Sequence, residues 1–296
     1  MIPHRESGIQ DPASSIRIDS HQHFWVYDPG QYPWIPKDSP LQRNWLPSDL
    51  EPLLARTGLQ GSIAVQARQT IEESHWLLTL ADHAPIVRGV VGWVDLRSDK
   101  VEEQLTGFAK HPKFVGVRHI AQDEPDDRFL LRPDFLRGIG KLKAFKMTYD
   151  ILIYPRQLPA AIELVRRFPD QPFVLDHIAK PLIKDRTLSP WREQIRDLAR
   201  SENVLCKVSG MITEASRADW KAADFRPYLD VVFAAFGGDR LMYGSDWPVC
   251  LMAGSYEKVF ELVDEYCRAL DGAVRDRFFG GNAARFYGVP RTGPER

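Results

Sequence analysis

The sequence has few of the features that mark secreted, membrane-bound or nucleic-acid-binding proteins. It holds three cysteines in 296 residues, and Cys206, Cys250 and Cys267 form no CxxC pair. A reduced compartment is therefore favoured over a disulfide framework, and we expect the cysteines to be small core residues. The formal net charge is −1, which leaves no basic excess for binding nucleic acid.

Long apolar segments are also absent. No apolar run approaches the length of a transmembrane helix, and residues 1–15 lack the apolar region of a signal peptide. We expect residues 1–15 to be a flexible tail and residues 16–296 to form one domain. These absences indicate a cytoplasmic protein that binds neither nucleic acid nor membrane, and a homo-oligomer is compatible with the sequence.

Eight short apolar runs are too continuous for half-exposed strands, so they predict strands covered on both faces. They span residues 16–23, 62–67, 86–95, 114–119, 146–153, 173–178, 204–210 and 241–247. The segments between them mostly show the apolar stripe of an amphipathic helix, as in WREQIRDLAR, and Ser48 to Glu51 resembles a capping box that begins the first helix. This alternation predicts an α/β fold, a single closed (β/α)8 TIM barrel.

Two stretches interrupt the alternation. Residues 24–47 are rich in Trp, Tyr and Pro and show little periodicity. They predict a long aromatic-rich loop after the first strand, which would lie over the carboxyl ends of the barrel strands. Residues 211–225 predict a second long insert at the same face.

Three motifs place polar groups at the carboxyl ends of predicted strands. His21 and His23 are two residues apart, so on a strand both imidazoles face the same side. His177 ends the sixth predicted strand, and Asp246 ends the eighth. Each motif alone has a structural alternative, such as a hydrogen-bonded core histidine or an aspartate that caps a turn. Their common position at one end of the barrel favours a site where catalysis takes place.

The motifs together resemble the amidohydrolase superfamily, and within it the sugar-lactonase branch of L-fuconolactonases and L-rhamnonolactonases. DSHQHFW, LDHIAKP and GSDWPV carry the resemblance, and YPWI, AVQA, GVRH, CKVSG and GNAARFY extend it over residues 16–289. It implies hydrolysis with one or two divalent metals. These would be held by the HxH pair, a Lys or Glu on strand four, histidines on strands five and six, and the Asp on strand eight.

The chain departs from that pattern at two positions. Strand four ends in Arg118 and His119, and residues 146–153 contain no histidine. A binuclear site would therefore lack its bridging ligand and one terminal ligand. The remaining set could bind a single Zn²⁺, namely His21, His23, His177 and Asp246. Because the branch includes members that need no metal, we expect one divalent metal at most and do not expect it to be obligatory.

The resemblance also assigns roles. We expect Asp246 to activate water and to protonate the leaving ring oxygen, while the three histidines hold water, a metal or the carbonyl oxygen. Arg118 and His119 stand where the bridging ligand is missing, and the guanidinium would polarise the carbonyl. A salt bridge from Arg118 to Asp150 or Asp95 is an equal alternative.

Candidate substrate-binding residues lie in the first loop and at predicted strand ends. A sugar ring would stack on Trp25, Tyr32 or Trp34. Its hydroxyls would bond to Gln66, Arg68, Tyr154 or Lys207. Loop packing and salt bridges are the structural alternatives for these side chains.

The leading hypothesis is a hydrolase of carbohydrate catabolism that opens L-fucono-1,5-lactone or a related aldonolactone to the free aldonic acid. Three alternatives remain open. One is a metal-dependent decarboxylase or hydratase of the same superfamily. Another is a hydrolase of anionic lactones, gripped by Arg68, Arg118 and Lys207. The third is a barrel that binds sugars without catalysis.

Overall fold

The computed structural model describes residues 16–290, which form a sheet of eight parallel strands with helices between them. The strands pair in chain order. Their bounds are β1 Ile18–Gln22, β2 Gly61–Val65, β3 Val87–Gly92, β4 Phe114–His119, β5 Thr148–Ile151, β6 Phe173–Leu175, β7 Val204–Val208 and β8 Leu241–Tyr243. Gln22 and Trp247 form a parallel bridge between the two edges, so the sheet is a nearly closed TIM barrel, as the sequence predicts.

The helices cover the outside of the barrel. They are α1 Pro47–Thr57, α2 Ile71–His83, α3 Val101–Phe108, α4 Pro133–Leu142, α5 Leu158–Arg167, α6 Trp191–Leu198, α7 Ala222–Phe236, α8 Tyr256–Cys267, α9 Gly272–Asp276 and α10 Asn282–Tyr287. In α6, Trp191, Ile195 and Leu198 are buried, and their spacing of four and three residues defines the apolar face. None of the helices in residues 16–290 has the length and apolar character needed to cross a membrane.

Apolar side chains fill the lower half of the barrel interior. They come from alternating strand positions, including Ile18, Ile63, Val65, Val91, Val115, Val174 and Met242. The C-terminal helix α10 adds Ala283, Ala284 and Tyr287 to the same cluster. The barrel is therefore a packed core at this end.

The structure corrects several predicted boundaries. Most strands end earlier than predicted, because the polar residues at the mouth leave the sheet: β6 ends at Leu175 and β8 at Tyr243. The second insert is shorter than predicted, since α7 begins at Ala222. The first helix begins at Pro47 rather than in a capping box at Ser48, and the carboxylate of Asp49 accepts the N–H of Leu46 at 2.9 Å.

Other predictions agree with the structure. The segment between β1 and α1 is a long loop, whose ends are joined by a two-residue bridge between Trp25 and Trp45. The three cysteines are buried and reduced. The predicted flexible tail, residues 1–15, lies outside the described residues.

Candidate active site

Three histidines surround one carboxylate at the mouth of the barrel. Oδ1 of Asp246 lies 3.3 Å from Nε2 of His23, 3.8 Å from Nε2 of His177 and 3.9 Å from Nε2 of His21. All four side chains are nearly inaccessible to solvent. The structure thus brings together the residues that the sequence motifs place at separate strand ends.

Backbone contacts between β1 and the segment after β8 set this geometry. The N–H of Asp246 donates to the carbonyl of His21 at 2.8 Å, and the N–H of His23 donates to the carbonyl of Trp247 at 2.7 Å. Asp246 itself has a left-handed backbone with φ of 57°. A non-glycine residue in that region carries strain, which structures retain mainly at functional sites.

A buried aspartate, Asp19, fixes the same two segments from below. Its carboxylate accepts the N–H of Ser245 at 2.9 Å, the N–H of His21 at 3.2 Å and the hydroxyl of Tyr256 at 3.0 Å. Burial nevertheless raises the pKa of Asp19 to about 6. The sequence analysis missed this residue, although a carboxylate at alternate spacing with His21 in an apolar strand is a detectable signal.

The imidazoles of His23 and His177 are each oriented by a hydrogen bond at Nδ1. His23 Nδ1 lies 2.8 Å from the carbonyl oxygen of Val65, so Nδ1 carries the proton and Nε2 presents its lone pair to Asp246. His177 Nδ1 lies 2.9 Å from the hydroxyl of Ser209. Such contacts orient rings that bind a cation or transfer a proton.

Electrostatics favour a neutral His21, a neutral His177 and an ionised Asp246. Burial holds the pKa of His21 and of His177 well below the ordinary value. Burial alone would raise the pKa of Asp246, but the imidazoles of His177 and His23 and the ammonium of Lys180 offset it, so the pKa is lowered. An ionised carboxylate beside neutral imidazoles is the form that accepts a proton from water.

A network of buried charges lies beneath His21. Lys207 Nζ lies 2.5 Å from Oδ2 of Asp150 and 3.1 Å from Oδ1 of Asp176. Arg118 pairs with Oδ2 of Asp176 at 3.2 Å. The hydroxyl of Tyr287, from the helix that closes the barrel floor, donates to Asp150 at 2.8 Å. Although burial opposes it, the charges of Lys207 and Arg118 hold the pKa of Asp176 well below its usual range.

His21 is enclosed by this network. Arg118 Nη1 lies 3.2 Å from Nε2 of His21, while Asp176 Oδ1 lies 3.2 Å from Nδ1. The ammonium of Lys207 also lies 3.1 Å from Nδ1, so a cation that can only donate faces each ring nitrogen. His21 is thereby held in place by two cations and an anion.

Several side chains predicted to contact the substrate have partners within the protein. Lys207 is fully buried and its ammonium is bonded to two aspartates. The amide of Gln66 bonds to Arg118 through both its oxygen and its nitrogen. Trp25 is also fully buried, and its indole N–H donates to carbonyls of the first loop at Leu41 and Arg43.

Two catalytic candidates also have protein partners. Arg118 is bonded to Gln66, Asp176 and His21, so neither predicted partner, Asp150 or Asp95, is the one that pairs with it. His119 lies 2.8 Å from Glu124 through Nε2, and its ring stacks on Phe129 at 4.8 Å. The guanidinium of Arg118 therefore contacts His21 and is not unpaired in the barrel mouth.

Three other aromatic or basic candidates lie closer to solvent. Trp34 is 41% exposed and meets Trp25 edge-on, with ring centroids 5.5 Å apart. Tyr154 follows β5 and is partly buried, with the ammonium of Lys180 5.5 Å from its ring centroid. Arg68 Nε lies 3.7 Å from the buried Glu73, and its guanidinium lies over the ring of Tyr32, so this pair ties the first loop to the segment after β2.

A single divalent metal would fit between Asp246 and the imidazole nitrogens that surround it. A tetrahedral zinc ion separates its ligand atoms by about 3.3 Å, and the Nε2 atoms lie 3.3–3.9 Å from the Asp246 oxygen. In the neutral form of His23 whose proton faces Val65, Nε2 and Oδ1 of Asp246 both present electron pairs, and a cation between them would satisfy both atoms.

A second set of possible ligands, which includes Asp176, does not fit a metal. His21, Asp176 and His177 also lie close enough to share an ion, but both oxygens of Asp176 are already paired, with Lys207 and with Arg118. Two fixed positive charges leave no favourable place for a second cation. The donor set among residues 16–290 thus fits one metal rather than two.

Comparison with known proteins identifies the family. The sequence model of the Amidohydrolase family matches residues 18–289. An L-fucono-1,5-lactonase from Burkholderia multivorans is 42% identical over 294 residues, covering 95% of this chain and 99% of that protein. An L-fucono-1,5-lactonase from Burkholderia ambifaria is 39% identical over 283 residues, covering 94% and 97%.

A solved structure agrees with the sequence relatives. The crystal structure of an amidohydrolase from Burkholderia multivorans with bound Zn superposes with a TM-score of 0.90 at 43% identity, covering 93% of this chain and 100% of that one. The family match spans nearly the whole barrel, including all four residues of the histidine–aspartate group. The chain belongs to the amidohydrolase family.

Proposed function

We propose that this protein hydrolyses a sugar-acid lactone, L-fucono-1,5-lactone or a closely related aldonolactone, to the free aldonic acid. The proposal rests on one observation, the carboxylate of Asp246 within 3.3–3.9 Å of three imidazole nitrogens at the barrel mouth. The L-fucono-1,5-lactonases at 42% and 39% identity support the substrate class. Opening such a lactone would serve carbohydrate catabolism.

Asp246 is the proton carrier in this proposal. A water molecule beside the carboxylate gives its proton to Asp246 while its oxygen attacks the lactone carbonyl. When the tetrahedral intermediate collapses, the ring C–O bond breaks and Asp246 returns the proton to the leaving oxygen. One carboxylate thus serves first as base and then as acid, and the reaction consumes one water.

The histidines orient this step. The Nδ1 contacts of His23 and His177 leave their Nε2 atoms facing Asp246, where they bind the attacking water. His21 is held by Arg118 and Asp176 and completes the wall around that water. Arg118 thus contributes by fixing His21, while His119 supports the β4 end through Glu124.

A divalent metal is an optional addition in this proposal. His21, His23, His177 and Asp246 would hold one Zn²⁺, which would lower the pKa of the water and polarise the carbonyl. The protein residues bind and deprotonate the water in either case.

We assign the substrate contacts to two aromatic side chains that solvent can reach. Trp34 is available from the first loop and Tyr154 from the end of β5, and both can meet the C–H face or the hydroxyls of a sugar ring. Of the fully buried candidates, Trp25 packs against Trp34, whereas Gln66 and Lys207 bond to Arg118 and to two aspartates.

The test is a panel of freshly prepared aldonolactones, with acid release followed by a pH indicator and spontaneous opening subtracted. L-fucono-, L-rhamnono-, D-arabinono- and L-galactono-lactones are compared with and without chelator. Turnover of at least one sugar lactone is expected. Turnover of none, together with decarboxylation of an aromatic acid or opening of an anionic lactone, would replace the proposal with one of the other reaction classes.

A further inference from the structure

The chain forms one turn of left-handed helix immediately after β6. His177, Ile178, Ala179 and Lys180 have φ angles of 53°, 48°, 60° and 48°, and the N–H of Lys180 donates to the carbonyl of His177 at 2.8 Å. Left-handed conformation costs L-residues about 1–2 kcal/mol each. Four consecutive non-glycine residues in this region are strained backbone of the kind that clusters at functional sites.

The surroundings hold this turn in place. Ile178 and Ala179 are fully buried, and the indole of Trp191 donates to the carbonyl of Ile178 at 2.8 Å. Gly210 lies against the ring of His177, so closely that a Cβ there would come within 2.5 Å of Nδ1. The strained turn is therefore a fixed element of the barrel mouth.

The turn sets the direction of two side chains. A backbone hydrogen bond between residues three apart closes the turn. In a turn of this kind, side chains three residues apart lie one above the other on the same face. His177 uses that face to reach Asp246, 3.8 Å away. Lys180 therefore points to the same side, and its charge acts on both Asp246 and His177.

Among the described residues the ammonium of Lys180 forms no salt bridge with a carboxylate, although the charge of the partly buried Glu214 acts on it. Among residues 16–290, no acid lies within 4.0 Å of it and no described group accepts a hydrogen bond from it. Its nearest defined neighbour is the ring of Tyr154, 5.5 Å from Nζ to the centroid. By contrast, Lys207 and Arg118 are committed to aspartates deeper in the barrel. This ammonium at the mouth can thus donate a hydrogen bond to a ligand.

We propose that Lys180 binds the carbonyl oxygen of the lactone and, after ring opening, the carboxylate of the product. This inference rests on the proposed function and adds the group that stabilises the developing negative charge. The lactone is neutral, whereas the tetrahedral intermediate and the product carry negative charge, so contact with an ammonium strengthens as the reaction proceeds.

The step is balanced without any further reactant. Water forms the new C–O bond and gives its proton to Asp246, while the carbonyl electron pair moves to the oxygen that Lys180 holds. The pair returns as the ring C–O bond breaks, and the leaving oxygen takes the proton from Asp246. The carboxylic acid then releases its own proton to solvent and remains bound to Lys180 as carboxylate.

The test compares Lys180→Met with Lys184→Met, a matched control in which the replaced lysine is exposed on the same loop. Lys180→Gly is a second variant, because glycine adopts positive φ without steric cost and keeps the turn folded. Each variant is assayed for hydrolysis of L-fucono-1,5-lactone. Inhibition is measured with L-fuconate, which carries the carboxylate, and with L-fucitol, a neutral polyol without it.

Loss of an oxyanion donor lowers kcat by about 10²–10³-fold. We expect that loss in both Lys180 variants, with KM changed less than kcat. We also expect weaker inhibition by L-fuconate, unchanged inhibition by L-fucitol, and a Lys184→Met variant that behaves as the parent. The selective loss of carboxylate binding separates a role in contacting substrate from a role in folding.

Two results would contradict the inference in different ways. An active parent whose Lys180 variants keep kcat/KM within about threefold, or lose inhibition by both ligands equally, would overturn the role of Lys180 alone. A parent that opens no sugar lactone would overturn the proposed function and this inference with it.

Discussion

Oδ1 of Asp246 and Nε2 of His23 lie 3.3 Å apart, although neither atom carries a hydrogen in the neutral tautomer of this imidazole. The proton of His23 is at Nδ1, where it faces the carbonyl of Val65 at 2.8 Å. Two lone pairs at this distance repel each other unless a proton, a water hydrogen or a cation lies between them. The site is thus built to hold a positive charge or a polarised water beside Asp246.

The first prediction concerns metal stoichiometry. Within residues 16–290, only the group around Asp246 fits a metal, because Lys207 and Arg118 already neutralise Asp176. Titration of the metal-free protein with Zn²⁺ followed by calorimetry should give at most one ion per chain. His177→Ala should weaken that binding, and replacement of the exposed His83, which lies on the outer helix α2, should not. Two tightly held ions per chain would contradict this arrangement.

The second prediction concerns the charges beneath His21. Lys207→Met leaves Asp150 and Asp176 buried without their ammonium. Loss of one partner from such a group lowers the free energy of unfolding by about 3–5 kcal/mol. Combining Lys207→Met with Asp150→Asn should recover part of the loss, because one unpaired charge is then removed.

Urea unfolding of the two single variants and the double variant measures this coupling. Lys184→Met, at an exposed position, is the control and should stay within about 0.5 kcal/mol of the parent. Additive effects of Lys207→Met and Asp150→Asn would show that the two side chains do not act as a pair.

The third prediction separates two tryptophans of the first loop. Trp34 is 41% exposed, whereas Trp25 is fully buried and hydrogen-bonded within the loop. Trp34→Ala should raise KM for the lactone about fivefold with little change in stability, since a stacking contact contributes about 1 kcal/mol. Trp25→Ala should lower the free energy of unfolding by about 3–5 kcal/mol. Thermal unfolding and steady-state kinetics on both variants distinguish these roles, and the opposite pattern would refute them.

The fourth prediction concerns pH and Glu73, which is fully buried beneath the segment after β2. Its carboxylate accepts the N–H of Ala67 at 3.0 Å and the N–H of Arg68 at 2.6 Å. Burial nevertheless raises the pKa of Glu73 from 4.5 to about 7. The folded state therefore binds this proton more tightly than the unfolded state, and its stabilising effect is lost as the pH rises from about 4.5 to about 7.

Glu73→Gln removes this dependence while keeping an oxygen that accepts both N–H groups. The difference in free energy of unfolding, variant minus parent, should increase by about 3 kcal/mol between pH 4.5 and pH 8. Urea unfolding at several pH values measures the difference. If the difference between parent and variant is independent of pH, the buried carboxylate does not titrate as described.

The repeating pattern of the chain made much of the fold predictable. Fully apolar runs between amphipathic helices leave few arrangements other than a parallel barrel, and parallel strands bring their carboxyl ends to one face. His21, His23, His177 and Asp246 could therefore be grouped from their positions alone, as the structure confirms for their proximity.

Contacts across the barrel were not predictable in the same way. Lys207 lies within the hydrophobic strand β7, and from the sequence its side chain could have pointed to solvent or to a ligand. Its pairing with Asp150 depends on which positions of β5 and β7 face inward, at 57 residues' separation. The floor contact from Tyr287 and the left-handed turn at Lys180 likewise depend on packing that no local spacing encodes.

The central claim is that Asp246 carries the proton in lactone opening, and Asp246→Asn tests it most directly. The amide keeps the size of the side chain but cannot take a proton from water. Under the proposed mechanism, kcat for L-fucono-1,5-lactone should fall by about 10³-fold, while thermal unfolding and inhibition by L-fucitol remain close to those of the parent. A folded Asp246→Asn variant that keeps most of the parent's kcat would contradict the account.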